Sequence, residues 1–139
     1  MGLAFGSSVV CAIGVTDLQR SLDWYRDTLG FTPIYAMEAI GWAELRTHID
    51  GVVVGLSQVE EVARGGGATL TFGVHDVDAA RHRLEESGVA FDGETLVIPD
   101  QVKLATFFDP DGNALMLFQG LGDVQAAHEA WQAANPRPA

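Results

Sequence analysis

The chain has 139 residues, of which 47% are hydrophobic and 19% charged, a balance typical of one globular domain with a buried core and not of a disordered segment. Its formal net charge of −11 argues against nucleic acid as a partner, because phosphate binding needs clustered Lys and Arg. No apolar run approaches the roughly 18 residues of a membrane span, the N-terminus lacks a basic signal-peptide segment, and the single Cys11 cannot form an internal disulfide, so we expect a cytoplasmic protein.

The first half of the chain predicts one strand, one helix and three more strands. The alternating run Val9–Val15 is typical of a strand, and Thr16 or Asp17 can cap the helix that follows it. Gly30 marks the end of that helix. Its apolar stripe is Leu18, Leu22, Tyr25 and Leu29. Three extended segments are then predicted, at 31–39, 41–48 and 52–59.

A glycine-rich segment at about 61–67 is typical of a linker. After it the same order begins again, with a strand at 68–74 and a helix that Asp76 or Asp78 can cap and Gly88 ends. Further strands are predicted at 89–95, 102–108 and 113–118, the last two joined by the turn Asp109-Pro110-Asp111-Gly112-Asn113. The tail, 120–139, predicts a short helix with Val124, Ala127 and Trp131 on one stripe.

The two halves align where each first strand meets its helix. Val15-Thr16-Asp17-Leu18 corresponds to Val74-His75-Asp76-Val77, an offset of 59 residues. We therefore predict one α+β domain, 1–139, made of two tandem βαβββ modules and a short C-terminal helix. Module one covers about 8–60, module two about 68–119, and the tail 120–139.

Three stretches carry a family resemblance when they are taken together in order. They are Val15–Phe31, Phe72–Ala80 with Leu84 and Gly88, and Phe108–Asn113. With the strand pattern between them they resemble both modules of the vicinal-oxygen-chelate superfamily, which includes glyoxalases, bleomycin-resistance proteins and extradiol dioxygenases. The resemblance implies a mixed sheet curved around a cavity, and a homodimer.

Enzymes of that superfamily usually hold a divalent metal through His, Glu or Gln on inward-facing strand positions. The resemblance places these positions at Val10, Gly55, Thr69 and Met116. None of the four is a good ligand for such an ion, since two have no donor, one is a neutral hydroxyl and one a soft thioether. We therefore expect no metal cofactor at the usual positions. Glu44 and His48, four residues apart on one predicted strand, would be roughly 13 Å apart, too far to share one ion easily.

Strand alternation also predicts which side chains line the cavity. Ala43, Leu45 and Thr47 would face the helix, and Trp42, Glu44, Arg46 and His48 the cavity. In other strands Thr69, Thr71 and Met116 would face it, and Phe108 would close one end. Trp42 could stack on a flat ligand or hold a cation over its face, or could simply fill the core or a dimer interface. Glu44 could bind an amine or act as a base, or form a solvated ion pair with Arg46.

These observations predict a metal-independent protein that binds an aromatic or cationic small molecule in an apolar cavity, as in the bleomycin-resistance branch. The alternative is a lyase, isomerase or dioxygenase-like enzyme of the same superfamily, with relocated metal ligands or with Glu44 and His48 as acid-base residues. A third reading is a dimer with a vestigial pocket.

Overall fold

The structure, a computed structural model, describes residues 4, 6–63 and 68–136. The Arg64–Gly67 part of the predicted linker lies outside the described residues. The first half contains β1 (Val9–Val15), α1 (Leu18–Asp27), β2 (Thr32–Met37), a 3-10 helix (Glu38–Ile40), β3 (Trp42–Arg46) and β4 (Val52–Gln58). The second contains β5 (Thr71–Gly73), α2 (Val77–Glu86), β6 (Leu96–Ile98), β7 (Val102–Phe108), β8 (Ala114–Gly120) and α3 (Val124–Ala134).

Each half forms a mixed four-stranded sheet with the same connectivity. The first sheet has the order β1-β4-β3-β2, and the second has the order β5-β8-β7-β6. In each sheet the first strand pairs in parallel with the last, which a helical crossover allows. The predicted α+β class, the two tandem βαβββ modules and the C-terminal helix are confirmed.

The described residues divide into two compact units that do not follow the two halves of the sequence. The first unit takes in the chain up to Ala68 together with Phe108–Asn113, and the second takes in Thr69–Phe107 and the chain from Ala114 onward. The turn between β7 and β8 is therefore part of the first unit. None of the helices in the described part of the chain has the length and hydropathy of a membrane span.

The core of the first unit lies between α1 and one face of its sheet. The helix is amphipathic, and its buried face carries Leu18, Leu22 and Tyr25 of the predicted stripe. Because side chains alternate along a strand, every second residue of β3 and β4 packs on this side. The fully buried strand residues are Ala43, Leu45, Val54 and Leu56. The alternation predicted for the segment 41–48 is confirmed, since Thr47 is buried together with Ala43 and Leu45.

Helices α1 and α2 begin with the same pair of side-chain contacts. Asp17 is the cap of α1 and accepts the backbone N–H of Arg20 at 3.0 Å, while Gln58 Oε1 accepts the N–H of Leu18 at 3.0 Å. At the start of α2, Asp76 and Gln119 accept backbone N–H groups at 3.1 and 2.9 Å. Each helix thus has two of its four unpaired N–H groups satisfied, one of them by the last strand of its own module.

Several strand boundaries differ from the prediction. The predicted strand 89–95 is wrong: only Phe91 makes an isolated bridge, to Phe107, and β6 begins at Leu96. The aromatic pair explains this, because Phe91 packs its ring against Phe107 at 5.5 Å without a continuous ladder. Strand β3 ends at Arg46 and β5 begins at Thr71, so His48 and Thr69 lie outside the strands predicted to contain them.

The turn Asp109–Asn113 is built around the buried carboxylate of Asp109. Its Oδ1 accepts the backbone N–H groups of Asp111 and Asn113 at 3.0 and 2.8 Å. Its Oδ2 accepts the hydroxyl of Tyr25 at 2.9 Å and the side-chain amide of Asn113 at 2.8 Å. That amide also donates to the carbonyl oxygen of Gly14 at 2.9 Å. The turn is thereby fastened to both α1 and β1.

Asp111 adds a second polar contact between this turn and the start of α1. Its carboxylate accepts the hydroxyl and the backbone N–H of Thr16 and pairs with Arg20 at 3.1 Å. Burial raises the pKa of the Asp111 carboxyl, but the hydrogen bonds from Thr16 and Arg20 lower it more, so that the pKa lies below its ordinary value of 3.8. The ionised form of Asp111 therefore stabilises the folded state.

Replacing Asp111 with Asn is expected to lower the free energy of unfolding at pH 7 by about 1–2 kcal/mol, since a charge-assisted contact becomes a neutral one. Because the folded pKa lies below the unfolded one, the stabilisation is complete above about pH 4 and is lost as pH falls through the folded pKa. Urea unfolding from pH 7 to pH 2 measures this effect. The control Asp23→Asn removes a carboxylate of the same helix whose side chain is 43% exposed and whose partners, Gln19 and Arg26, are also on α1. A wild-type advantage that stays constant down to pH 2 would contradict the assignment.

Candidate functional site

The face of the first sheet opposite α1 carries Trp42, Glu44 and Arg46, three of the eight residues predicted to line a cavity. We call it the open face. It consists of Val10, Tyr35, Trp42, Glu44, Arg46 and Gly55. The pairing of Tyr35 with Glu44 and of Glu44 with Gly55 places these three residues in one row across β2, β3 and β4. Trp42 and Glu44 are half-buried, whereas Arg46 is exposed.

Three side chains of the open face form one hydrogen-bonded cluster. The hydroxyl of Tyr35 donates to Glu44 Oε2 at 2.6 Å, and the indole Nε1 of Trp42 donates to the same oxygen at 2.8 Å. The indole N–H is also 3.0 Å from the Tyr35 hydroxyl oxygen. The hydrogen bond to Glu44 raises the pKa of Tyr35, and burial raises it further. Tyr35 therefore keeps its proton and serves as a donor.

The indole ring of Trp42 lies directly over Gly55. A Cβ atom at position 55 would stand 2.3 Å from Trp42 Cη2 and 2.6 Å from Cζ2, distances that no real side chain could occupy. It would also stand 3.0 Å from a methyl carbon of Val10. The absence of a side chain at Gly55 is thus what allows the Trp42 ring to pack against the sheet at this position with its N–H directed at Glu44.

Arg46 and His48 do not join this cluster. The structure records no ion pair between Glu44 and Arg46, both of which it describes, so the predicted Glu44–Arg46 ion pair is wrong. The Glu44 carboxylate instead accepts hydrogen bonds from Tyr35 and Trp42. His48 is exposed and lies in the bend after β3, since the chain leaves the sheet once Arg46 has paired.

The second unit brings together a different part of the predicted set. Thr71 and Met116 are paired across β5 and β8. The neighbouring pair is Gly73 and Phe118, and a Cβ on Gly73 would stand 3.0 Å from the Phe118 ring. An aromatic ring thus covers a glycine in this sheet too. Thr69 is exposed and precedes β5. Phe108, the half-buried last residue of β7, belongs to the first unit.

A separate cleft of about 270 Å³ lies beside the start of α1. It is lined by Asp17, Leu18, Gln19, Leu22, Ala36, Glu38 and Gln58. None of the predicted ligand-binding residues is among them, and Asp17 and Gln58 already serve the helix start.

The sequence pattern of the glyoxalase/bleomycin resistance protein/dioxygenase superfamily matches residues 8–117, which is most of the chain. The chain belongs to this superfamily. The resemblance read from the sequence is confirmed. No curated protein matches the chain at a significant level.

Solved structures of glyoxalase/bleomycin-resistance type share the fold over most of the chain. TnmS3, described as an antibiotic binding protein from Streptomyces sp. CB03234, is 28% identical over 86% of this chain and 99% of its own, with a TM-score of 0.70. A superfamily member from Sphaerobacter thermophilus DSM 20745 is 26% identical, with 84% and 99% covered and a TM-score of 0.71. TioX from Micromonospora sp. ML1 is 25% identical, with 84% and 100% covered and a TM-score of 0.65.

The donor set of this glyoxalase-type chain does not fit the divalent metal that the superfamily resemblance implies. On the open face Val10 and Gly55 offer no donor atom, and the Trp42 ring fills the space above Gly55. In the second sheet Met116 offers a thioether, a soft ligand, and Thr69 is outside the strand. Nowhere in the described ranges do three His, Cys, Asp or Glu side chains come close enough together to hold one ion.

Two residues of this site were missed by sequence reasoning. Tyr35 joins the cluster only because a register shift between Pro33 and Tyr35 sets its pairing with Glu44. Such a bulge reverses the simple alternation and is not visible in the sequence. Gly55 is predicted to face the cavity, but the sequence indicates only a vacant metal position there and no contact with an aromatic ring. Trp42 stands two residues before Glu44, the β3 partner of Gly55. A glycine diagonal to an aromatic residue on the adjacent strand is the signal that could have indicated a ring lying over it.

Proposed function

We propose that this protein is a metal-independent small-molecule-binding protein that takes an aromatic or cationic ligand in an apolar cavity lined by the open face of the first sheet. The observation that supports it best is the Trp42 ring over Gly55. An indole that packs against a glycine and donates a hydrogen bond to Glu44 from its edge is preorganised for stacking.

The comparison with TnmS3 supports the same proposal. That protein is described as antibiotic-binding and shares 28% of its residues with this chain over nearly its whole length. A fold alone does not determine function; the side chains of the site do. Here the site offers a large aromatic surface with few polar groups, which is the usual composition of a small-molecule pocket.

We expect replacement of Trp42 with Ala to weaken the binding of acridine, a neutral planar probe, at least about tenfold, since buried Trp contacts are among the most costly to truncate. Fluorescence titration of the folded variants gives the affinities. The matched control is Trp131→Ala, because Trp131 on α3 is 65% exposed. Equal affinities for both variants would remove Trp42 from the site, and no acridine binding by the wild type would argue against the proposed ligand class.

We expect a chelator to leave the thermal unfolding midpoint of the purified protein unchanged, and elemental analysis to find no stoichiometric divalent metal. The reason is the donor set, in which Val10 and Gly55 supply nothing and Met116 a thioether. Removing a bound structural or catalytic ion would lower the midpoint, because a ligand that binds the folded state stabilises it. One equivalent of Zn, Ni, Fe or Mn in the purified protein would contradict metal independence.

The proposal includes a cytoplasmic homodimer. It is supported by apolar side chains exposed on two edge strands: Ile34, Tyr35 and Met37 of β2, and Leu96, Val97 and Ile98 of β6. Exposed apolar edges of this kind are covered in most proteins. Light scattering should give twice the chain mass of 14.8 kDa. A mass of one chain would exclude the dimer.

The alternative function is an enzyme in which Glu44 or His48 acts as an acid-base residue. Hydrogen bonds from the Tyr35 hydroxyl and the Trp42 indole fix the orientation of the Glu44 carboxylate. A catalytic base needs such a fixed orientation. His48 is outside the strand and exposed, which gives it less support. Once a substrate is found, Glu44→Ala and His48→Ala are to be compared separately. Unchanged turnover in both variants would remove both roles.

A further inference from the structure

We infer that the open face selects flat aromatic molecules that carry a hydrogen-bond donor at their edge, a hydroxyl or a protonated amine, and that Glu44 Oε1 is the atom that accepts it. The inference rests on the small-molecule binding proposed above and adds the chemistry that distinguishes one ligand from another. It follows from how the hydrogen-bonding groups of Tyr35, Trp42 and Glu44 are used.

The donors of this cluster are already engaged. Tyr35 has one hydroxyl hydrogen, which goes to Glu44 Oε2, and Trp42 has one N–H, which is shared between Glu44 Oε2 and the Tyr35 oxygen. Neither side chain has a second hydrogen to offer a ligand. A ligand group that only accepts hydrogen bonds therefore finds no partner in the cluster.

The acceptors of the cluster are only partly engaged. Both hydrogen bonds to Glu44 end on Oε2, and within the described ranges no residue donates to Oε1. An ionised carboxylate accepts on both oxygens and donates on neither. Oε1 thus stands at the edge of the Trp42 indole as an unused, negatively charged acceptor. A hydrogen bond to a charged group contributes more than one between neutral groups.

Arg46 is the charged group of the open face that could compete with Glu44. It lies two residues beyond Glu44 on β3, is exposed, and forms no ion pair with the residues that the structure describes. If Arg46 determined the selection, the protein would prefer an anionic probe. If Glu44 determines it, the protein prefers a probe that donates a hydrogen bond. The sign of the preference therefore identifies the group.

The experiment compares three tricyclic probes by fluorescence titration on the full chain: 9-aminoacridine, 2-anthrol and anthracene-9-carboxylate. We expect 9-aminoacridine and 2-anthrol to bind at least tenfold more tightly than anthracene-9-carboxylate. A difference between the first two separates the contribution of charge from that of the donor hydrogen.

The test variant is Glu44→Gln, which keeps the shape of the side chain but can turn an N–H toward the ligand. It is expected to lower the affinity for 9-aminoacridine at least tenfold and to leave the affinity for anthracene-9-carboxylate unchanged or higher. Glu38→Gln removes the same charge from the exposed 3-10 helix of the same unit and should change no affinity more than threefold. Circular dichroism verifies that both variants are folded.

The outcomes separate the two proposals. Binding of none of the three probes would overturn both the proposed function and this inference. Equal binding of all three would leave ligand binding intact and overturn the selection by Glu44. A preference for anthracene-9-carboxylate that is lost in Arg46→Gln, or an amine preference that survives Glu44→Gln, would also overturn it.

Discussion

Replacing Asp109 with Ala is expected to lower the free energy of unfolding by about 3 kcal/mol or more, because a buried carboxylate with four hydrogen bonds is removed. The largest part comes from the fully buried Tyr25, whose hydroxyl would be left without an acceptor. Burial and the nearby Asp109 carboxylate both raise the pKa of Tyr25 above its ordinary value, so it cannot ionise to escape this cost.

Urea unfolding of three variants separates the parts of this effect. Tyr25→Phe removes one hydroxyl and leaves Asp109 with three donors, so we expect a loss of only about 1 kcal/mol. Glu94→Ala, at an exposed position in the second unit, is the control and should change stability by less than about 0.5 kcal/mol. A loss for Asp109→Ala no larger than that of the control would show that the turn is not fastened through this carboxylate.

The second large effect is expected at Gly55. Its replacement with Ala should destabilise the protein by about 1–3 kcal/mol, because the new Cβ would overlap the Trp42 ring and force it away from the sheet. The displaced indole would lose its hydrogen bond to Glu44, so acridine affinity should fall with the stability. The emission of Trp42 should shift to longer wavelength as the ring becomes exposed.

A double-mutant cycle tests the cause of that loss. In a Trp42→Ala background there is no ring for the Cβ to meet, so adding Gly55→Ala should cost about 0.5 kcal/mol or less. Gly6→Ala is the control for the general effect of the substitution, since a Cβ there meets no atom within 4 Å. Equal costs of Gly55→Ala with and without Trp42 would show that the ring does not depend on the glycine.

Periodicity predicted the elements whose signal is local. The stripe of α1, the caps Asp17 and Asp76 and the helix-facing side of β3 follow from residues a few positions apart, and all are found as expected. The predicted strand 89–95 failed because Phe91 needs only a ring contact with Phe107 and not a ladder. Short β segments depend on tertiary partners more than on their own residues.

The candidate site could be predicted only in part for a similar reason. Trp42 and Glu44 were placed on one face correctly, because they share a strand. Their partners are on other strands, and register decides which ones they meet. The bulge before Tyr35 and the close approach of Trp42 to Gly55 are both cross-strand events. Because of these two contacts, the polar side chains form one hydrogen-bonded cluster in which Glu44 Oε1 is an unused acceptor.

The fastening of the turn at Asp109 has a consequence for how the protein is made. The carboxylate that satisfies Tyr25 comes 84 residues later in the chain, and the amide that reaches Gly14 comes 99 residues later. Such distant contacts raise the contact order and slow folding. On the ribosome, the amino-terminal half emerges before Asp109, the acceptor of the Tyr25 hydroxyl, has been synthesised. Although the sequence repeats, its first half is therefore completed only when the second is almost fully synthesised.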